Sequence, residues 1–177
     1  MAKKTWNEKL NDSKDMPKIE EVDCIFAARQ GGSKMLLAPP LAYDEIMKSV
    51  PGGKLITTDR MRAYLAKKHN ADWTCGLTCG IFVNIAANAS AERKGEKTEP
   101  SNACVRKGED SEATQPAKEV RETPYWRTLK KDGELNEKYP DGIDGQKLLL
   151  EMEGHKVIQK GKRYFVENYD KKLFDLE

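Results

Sequence analysis

Histidine is almost missing from this chain, which has two, and cysteine is scarce at four: Cys24, Cys75, Cys79 and Cys104. So few and so unevenly spaced thiols exclude a disulfide-stapled scaffold and fit free thiols in a reducing, cytoplasmic setting. Long apolar runs are also missing. The longest, such as MLLAPPLA from Met35, falls far short of the roughly 20 residues that span a bilayer, so no membrane partner is expected. The opening MAKKTWNEKL has no apolar centre, and no secretory signal is expected. An excess of one charge sign is absent too. Lys and Arg number 31 against 29 Asp and Glu, a net charge of +2. That excludes a polycation that coats nucleic acid by charge alone, and leaves room for a local basic face.

What is present is a polar chain of 177 residues, 34% charged and 38% hydrophobic, with a mean hydropathy of −0.77. It suggests one modest core with solvated segments. Residues 1–34 carry seven positive and six negative charges around few apolar anchors, and read as a flexible N-terminal arm. Residues 90–122 carry fifteen charges, two prolines and almost no large apolar side chain. They read as a charged flexible insert, because such a segment buries too little surface to offset its ordering entropy. The folded unit is then a single domain built from 35–89 and 123–177.

Within it, Pro39-Pro40 precede a helix over 42–50, stopped at Pro51-Gly52-Gly53. After an extended Lys54–Thr57, Thr58 is positioned to cap a helix over 59–69 with Met61, Tyr64 and Leu65 on its apolar face. A second helix is expected over 77–89, with Ile81, Phe82, Ile85 and Ala89 inward. Two helices across a short connection form a helix-turn-helix pattern. Further on, Tyr125–Leu129 reads as a strand and Lys131–Gly133 as a turn. Ile143–Met152 reads as a helix ended by Gly154, and Val157–Val166 as a hairpin with a basic tip at Lys160, Lys162 and Arg163. The fold class expected is α+β, mostly helical and winged-helix-like.

One order of residues is more specific. Thr123-Pro124-Tyr125-Trp126-Arg127 is followed by Asp132-Gly133, Tyr139-Pro140-Asp141-Gly142, Gln146, and Leu148 to His155 with Glu153-Gly154 inside it. This order resembles the DNA-binding, active-site domain of the alkylguanine-DNA alkyltransferases, in which a Pro-Cys-His-Arg motif precedes a hairpin, a Gly-rich loop and a helix ending in Glu-Gly. Pro51 to Thr58 resembles the same family's approach to its helix-turn-helix. Tyr125 stands where the alkyl-accepting cysteine would be, and Trp126 where the activating histidine would be. A thiol with a pKa near 8.5 needs a base to become a nucleophile. A phenol of pKa about 10 is a poor substitute, and an indole has no basic nitrogen. Only Glu153 remains of the relay, so no catalytic residue is assigned.

That exchange resembles the alkyltransferase-like proteins, which keep the fold and bind alkylated DNA without transferring anything. The resemblance implies double-stranded DNA as partner, an alkylated guanine taken by base flipping, and excision-repair proteins summoned to it. It implies no cofactor, and a monomer is expected. Tyr125, Trp126 and Tyr139 would wall the flipped base, since stacking contributes roughly 1–3 kcal/mol per base. Arg127 would hold the site in shape. Thr57 and Thr58 would meet a backbone phosphate, and Thr78 and Asn84 would face the minor groove. Cys79 or a neighbour falls at the position of the family's intercalating arginine. Two other readings stay open: a winged-helix regulator that binds DNA or protein without lesion recognition, and alkyl transfer by Cys75 or Cys79. The spacing of Cys75 and Cys79 also suits a metal, but zinc takes four ligands and the other candidates (His69, Cys104, His155) are scattered, so no metal is assigned.

Overall fold

The computed structural model describes residues 4–98 and 122–176. The fold is α+β, with six helices among the described residues: α1 (Trp6–Asn11), α2 (Cys24–Gln30), α3 (Pro40–Ser49), α4 (Thr58–Lys68), α5 (Gly76–Thr98) and α6 (Gly142–Met152). Three small sheets accompany them. β1 (Lys18–Glu21) runs antiparallel to β2 (Lys34–Leu37), which runs parallel to β4 (Trp73–Thr74). β3 (Ile56–Thr57) pairs in parallel with β5 (Thr128–Leu129), and β6 (Val157–Lys160) forms a hairpin with β7 (Arg163–Val166). No helix among the described residues is long and apolar enough to cross a membrane.

The helices over 40–49, 58–68 and 142–152 and the hairpin stand close to the ranges read from the sequence. Pro40 begins α3 with its φ already helical and no amide to leave unpaired. Thr57, not Thr58, is the residue before α4, and its side chain makes no capping bond. Gly154, at φ 80°, ends α6, and Gly161, at φ 62°, turns the hairpin; both are left-handed conformations that suit glycine. The connection between α4 and α5 exceeds a usual helix-turn-helix turn because it also supplies β4.

The N-terminal segment is not the flexible arm expected. Thr5 and Glu8 form a reciprocal capping box at the start of α1, and Leu10 is 2% exposed. Glu92, on α5, accepts the Trp6 and Asn7 amides at 3.2 and 2.8 Å and the Asn7 side chain at 2.6 Å. This carboxylate satisfies amides that the first turn of a helix leaves unpaired. Burial opposes its charge, but these bonds prevail and keep its pKa below the ordinary carboxylate value. Glu92 lies in the span read as an insert. α5 continues to Thr98, so 90–98 is helix, and 99–121 lies outside the described residues.

The chain returns beside α5 through a buried polar knot. Thr123 Oγ1 donates to Asp44 Oδ1 at 2.6 Å, and Arg93 Nη2 reaches Thr123 Oγ1 at 3.1 Å. Ser90 Oγ donates to the Thr123 carbonyl at 3.3 Å and accepts the Thr123 amide at 3.2 Å. Asp44 also pairs with Lys48 at 2.6 Å. Because every member has a partner, burial of these groups is tolerated.

Two apolar clusters make the core. The larger gathers residues of α1, α3, α4 and α5 with Tyr125 and Tyr139. The smaller holds Leu55, Leu129, Leu135, Leu150 and Val166, and Trp126 packs against both. The inward face of α5 is partly the one expected: Ala89 is buried and Phe82 and Ile85 pack against the core, but Ile81 is 48% exposed, and Cys79, Val83, Ala86 and Ala87 are buried as well.

Replacing Glu92 with alanine should free the Trp6 and Asn7 amides. Their hydrogen-exchange protection should fall, while that of the core amides of α5 changes little; unchanged protection at 6 and 7 would refute this anchoring role.

Candidate nucleic-acid interface

Pro124 adopts φ −76°, ψ 65°, and Tyr125–Arg127 coil into a 3-10 turn in which the Arg127 amide donates to the Pro124 carbonyl at 3.1 Å. Only Thr128 and Leu129 continue as strand, which corrects the extended reading of this segment. A strand would send Tyr125 and Arg127 to the same side. The turn separates them: Tyr125 enters the core, and Trp126 and Arg127 both meet Glu153, just past α6.

Glu153 Oε1 accepts Trp126 Nε1 at 2.8 Å, Arg127 Nε at 2.9 Å and Arg127 Nη2 at 2.7 Å. Its Oε2 accepts Arg127 Nε at 3.0 Å and the Gly53 amide at 3.3 Å. Arg127 Nη1 donates to the Val50 carbonyl at 2.7 Å. Burial penalises the carboxylate, but the bonds from Arg127, Trp126 and Gly53 outweigh it and hold Glu153 below the usual carboxylate range. The result is a clamp joining the 50–53 loop, the 125–127 turn and the end of α6. It has no free base for proton transfer.

Tyr125 and Tyr139 are each 4% exposed. Their rings meet edge to face at 5.5 Å and 79°, and Trp126 meets Tyr125 at 5.5 Å and 83°. Neither tyrosine forms the open wall expected for a stacked base; the small α5 residues Cys79, Val83 and Ala86 share one core cluster with both rings. Burial, and then the charge of Asp141, raises the pKa of the Tyr125 phenol, and burial raises that of Tyr139. Trp126 is half-buried, with Lys94 Nζ and the Arg127 guanidinium carbon each 5.5 Å from its ring centroid.

Beside this core, the N-terminal half of α5 borders a groove of about 350 Å³. Thr58, Gly76, Leu77 and Gly80 line it, facing Lys130, Glu137 and Lys138. A Cβ at Gly80 would meet nothing within 4 Å, so the helix backbone is open to approach there. Leu77 is 75% exposed and Ile81 48%, which makes the outward face apolar.

The other expected contacts fall unevenly around this groove. Thr57 is 6% exposed within β3 and offers no surface to a phosphate, while Thr58 stays at the rim. Thr78 Oγ1 donates to the Cys75 carbonyl at 3.1 Å. Asn84 lines the groove, and its Oδ1 accepts Asn136 Nδ2 at 2.8 Å. Cys79 is 1% exposed, and burial pushes its thiol up to about 12, so it suits neither the intercalating position expected for it nor a nucleophile's role. Among the described residues no three His, Cys, Asp or Glu side chains gather as a metal site would require. A larger hollow of about 530 Å³, between α4 and the C-terminal residues, is lined by none of the expected site residues.

Two structural partners were not assigned a role from the sequence. Gln146 is fully buried; its Oε1 accepts the Asn136 amide at 2.7 Å, and its Nε2 donates to the Trp126 and Thr128 carbonyls at 3.1 and 3.2 Å. Asn136 in turn reaches Asn84, so the groove wall is tied to the 126–128 backbone. The only cue to this was a glutamine within the apolar helix pattern of α6.

No family model matches the chain, and no curated protein does. Among solved structures, the chain is similar to S. pombe Atl1 in complex with damaged DNA containing O6-carboxymethylguanine. The likeness has 14% identity and a TM-score of 0.39, over 77% of this chain and 94% of that one.

Two outcomes follow from the clamp and the thiols. A carboxyl whose folded pKa lies below its unfolded value stabilises above that unfolded value, near 4.5, and loses the contribution as pH falls through the folded one. Urea unfolding from pH 7 to pH 3 should therefore show a steeper acid loss in the native chain than in E153Q. At pH 7 the variant should be destabilised by about 2 kcal/mol, toward the lower end for a broken charged pair because the site is only partly buried. In the folded chain at pH 8, iodoacetamide should label exposed Cys24 and spare Cys79 in a peptide map; rapid labelling of Cys79 would refute its buried, protonated state.

Proposed function

We propose that this chain is a non-catalytic DNA-binding protein of the alkyltransferase-like kind, which grips duplex DNA along the α5 groove, holds an alkylated guanine beside Tyr125 and Trp126, and marks it for excision repair. The observation that carries the reading is the Tyr125-Trp126-Arg127 turn, locked by Glu153 and set behind a groove of exposed apolar and small helix residues. A phenol and an indole leave the turn without a nucleophile or a base, so binding is the chemistry it supports. Gly80 lets a DNA backbone come close, since a Cβ there would meet nothing within 4 Å. Leu77 and Ile81 suit the apolar wedge that minor-groove proteins press between base steps. Lys138 supplies charge for phosphates beside Glu137, and Lys130 already pairs with Glu134 at 3.4 Å, so the salt-dependent part of binding is small. Taking in a flipped base requires Tyr125 and Tyr139 to part.

A second reading, DNA binding without lesion recognition, is favoured by the burial of those two rings. Fluorescence titration with a duplex carrying one O6-alkylguanine, against the same duplex unmodified, separates the two. The lesion reading expects at least about tenfold tighter binding to the modified duplex, roughly the worth of one stacked base. Equal, salt-dependent affinity would favour the second reading, and no binding to either would remove both.

A further inference from the structure

Next to the α5 groove lies a second cleft, of about 410 Å³, between α1 and α5. The two hollows share Ile81, Asn84 and Lys138, so they adjoin along the outer face of α5. The walls of the second are Trp6, 38% exposed, with Ile81 and Ile85. Trp6 sits on a held element, because its backbone amide donates to Glu92 at 3.2 Å and α1 is closed by its capping box.

The polar groups in this cleft can be assigned from the network around them. Asn136 Oδ1 accepts the Lys138 amide at 3.2 Å, so its other end, Nδ2, donates to Asn84 Oδ1 at 2.8 Å. That leaves Asn84 Nδ2 with no partner among the described residues. Asn88 Nδ2 donates to the Asn84 carbonyl at 2.8 Å, which leaves Asn88 Oδ1 likewise uncommitted. The cleft therefore offers one donor and one acceptor a helical turn apart. Two cations complete it: Lys9, whose Nζ lies 4.0 Å from the Trp6 ring centroid, and Lys138.

An aromatic wall, an amide donor and acceptor, and flanking cations are what a nucleobase with its phosphate requires. Within a duplex the faces of a base are covered by its neighbours, so only an unpaired base can stack on Trp6. We propose that the α1–α5 cleft receives one unpaired nucleotide adjoining a duplex held along α5, and that the preferred partner is a duplex with a single-stranded overhang. The proposal rests on the DNA-binding reading above. The base packs between Trp6 and the Ile81–Ile85 wall, its edge meets Asn84 and Asn88, and its phosphate draws Lys9 from the ring and pairs with Lys138.

The test measures affinity of the full chain for a blunt duplex and for the same duplex extended by one or three unpaired nucleotides, with free deoxynucleoside monophosphate as a third probe. The native chain should bind the extended duplexes about tenfold more tightly, the scale of one base stacked on one aromatic side chain. W6A and N88A should lose that preference and keep their affinity for the blunt duplex. W6F, which retains a ring, should keep most of it, so that a fault in folding is told apart from the loss of stacking. Equal affinity of the native chain for blunt and extended duplexes overturns the cleft assignment while the DNA-binding reading stands. Absence of binding to any duplex overturns both. Trp6-dependent binding of the mononucleotide without an overhang preference overturns the junction and points to a free nucleotide as the source.

Discussion

The Glu153 carboxylate is the joint on which the rest of this structure turns. It draws an indole N–H and a guanidinium from the 125–127 turn and a backbone amide from the 50–53 loop. An ionised carboxylate half out of water is costly unless its acceptor sites are filled, and here charged and neutral donors fill them. The group therefore works as a fixed anchor. It sets the 125–127 turn against α6, and that turn decides which aromatic ring is buried and which stays near the surface. A relay would need a base free to give and take a proton, and each oxygen of Glu153 is already engaged.

The consequence for function is a division between the two faces of α5. Its inward face is made of small residues, and the Tyr125 and Tyr139 rings close the core with them. The Tyr125 ring thus completes the packing. The outward face keeps Leu77 and Ile81 in solvent beside Lys138, and α1 adds Trp6 and Lys9 to the same side. Apolar side chains held in water on one helix, flanked by cations, make the surface on which the proposed DNA binding rests. Little of the proposed binding would depend on long-range charge, in keeping with a chain whose opposite charges nearly cancel.

Much of the architecture was legible in order and spacing. Pro39-Pro40, Gly154 and the Lys160–Arg163 tip mark boundaries close to those observed, and the Tyr125-Trp126-Arg127…Glu153 frame is where the clamp forms. The errors have a common cause. Charge-rich segments were read as solvated, but Glu92 and Arg93 spend their charges on amides and a hydroxyl brought from far along the chain. A carboxylate destined for solvent and one destined for the end of a distant helix look alike in a linear pattern. The same blindness placed Ile81 inward: a helix that is apolar nearly all round has no face that periodicity can choose.

The sequence by itself determined the local conformations and the chemical limits. Proline and glycine mark helix boundaries, and the 123–127 segment offers no thiol, because both depend only on the residue present. Tertiary structure alone decided which rings are sealed, which apolar residues remain in solvent, and that α1 joins α5 in a single surface. Those outcomes depend on pairing between groups distant in sequence, and the free energy of a buried polar group or ring is defined only once its neighbours are in place.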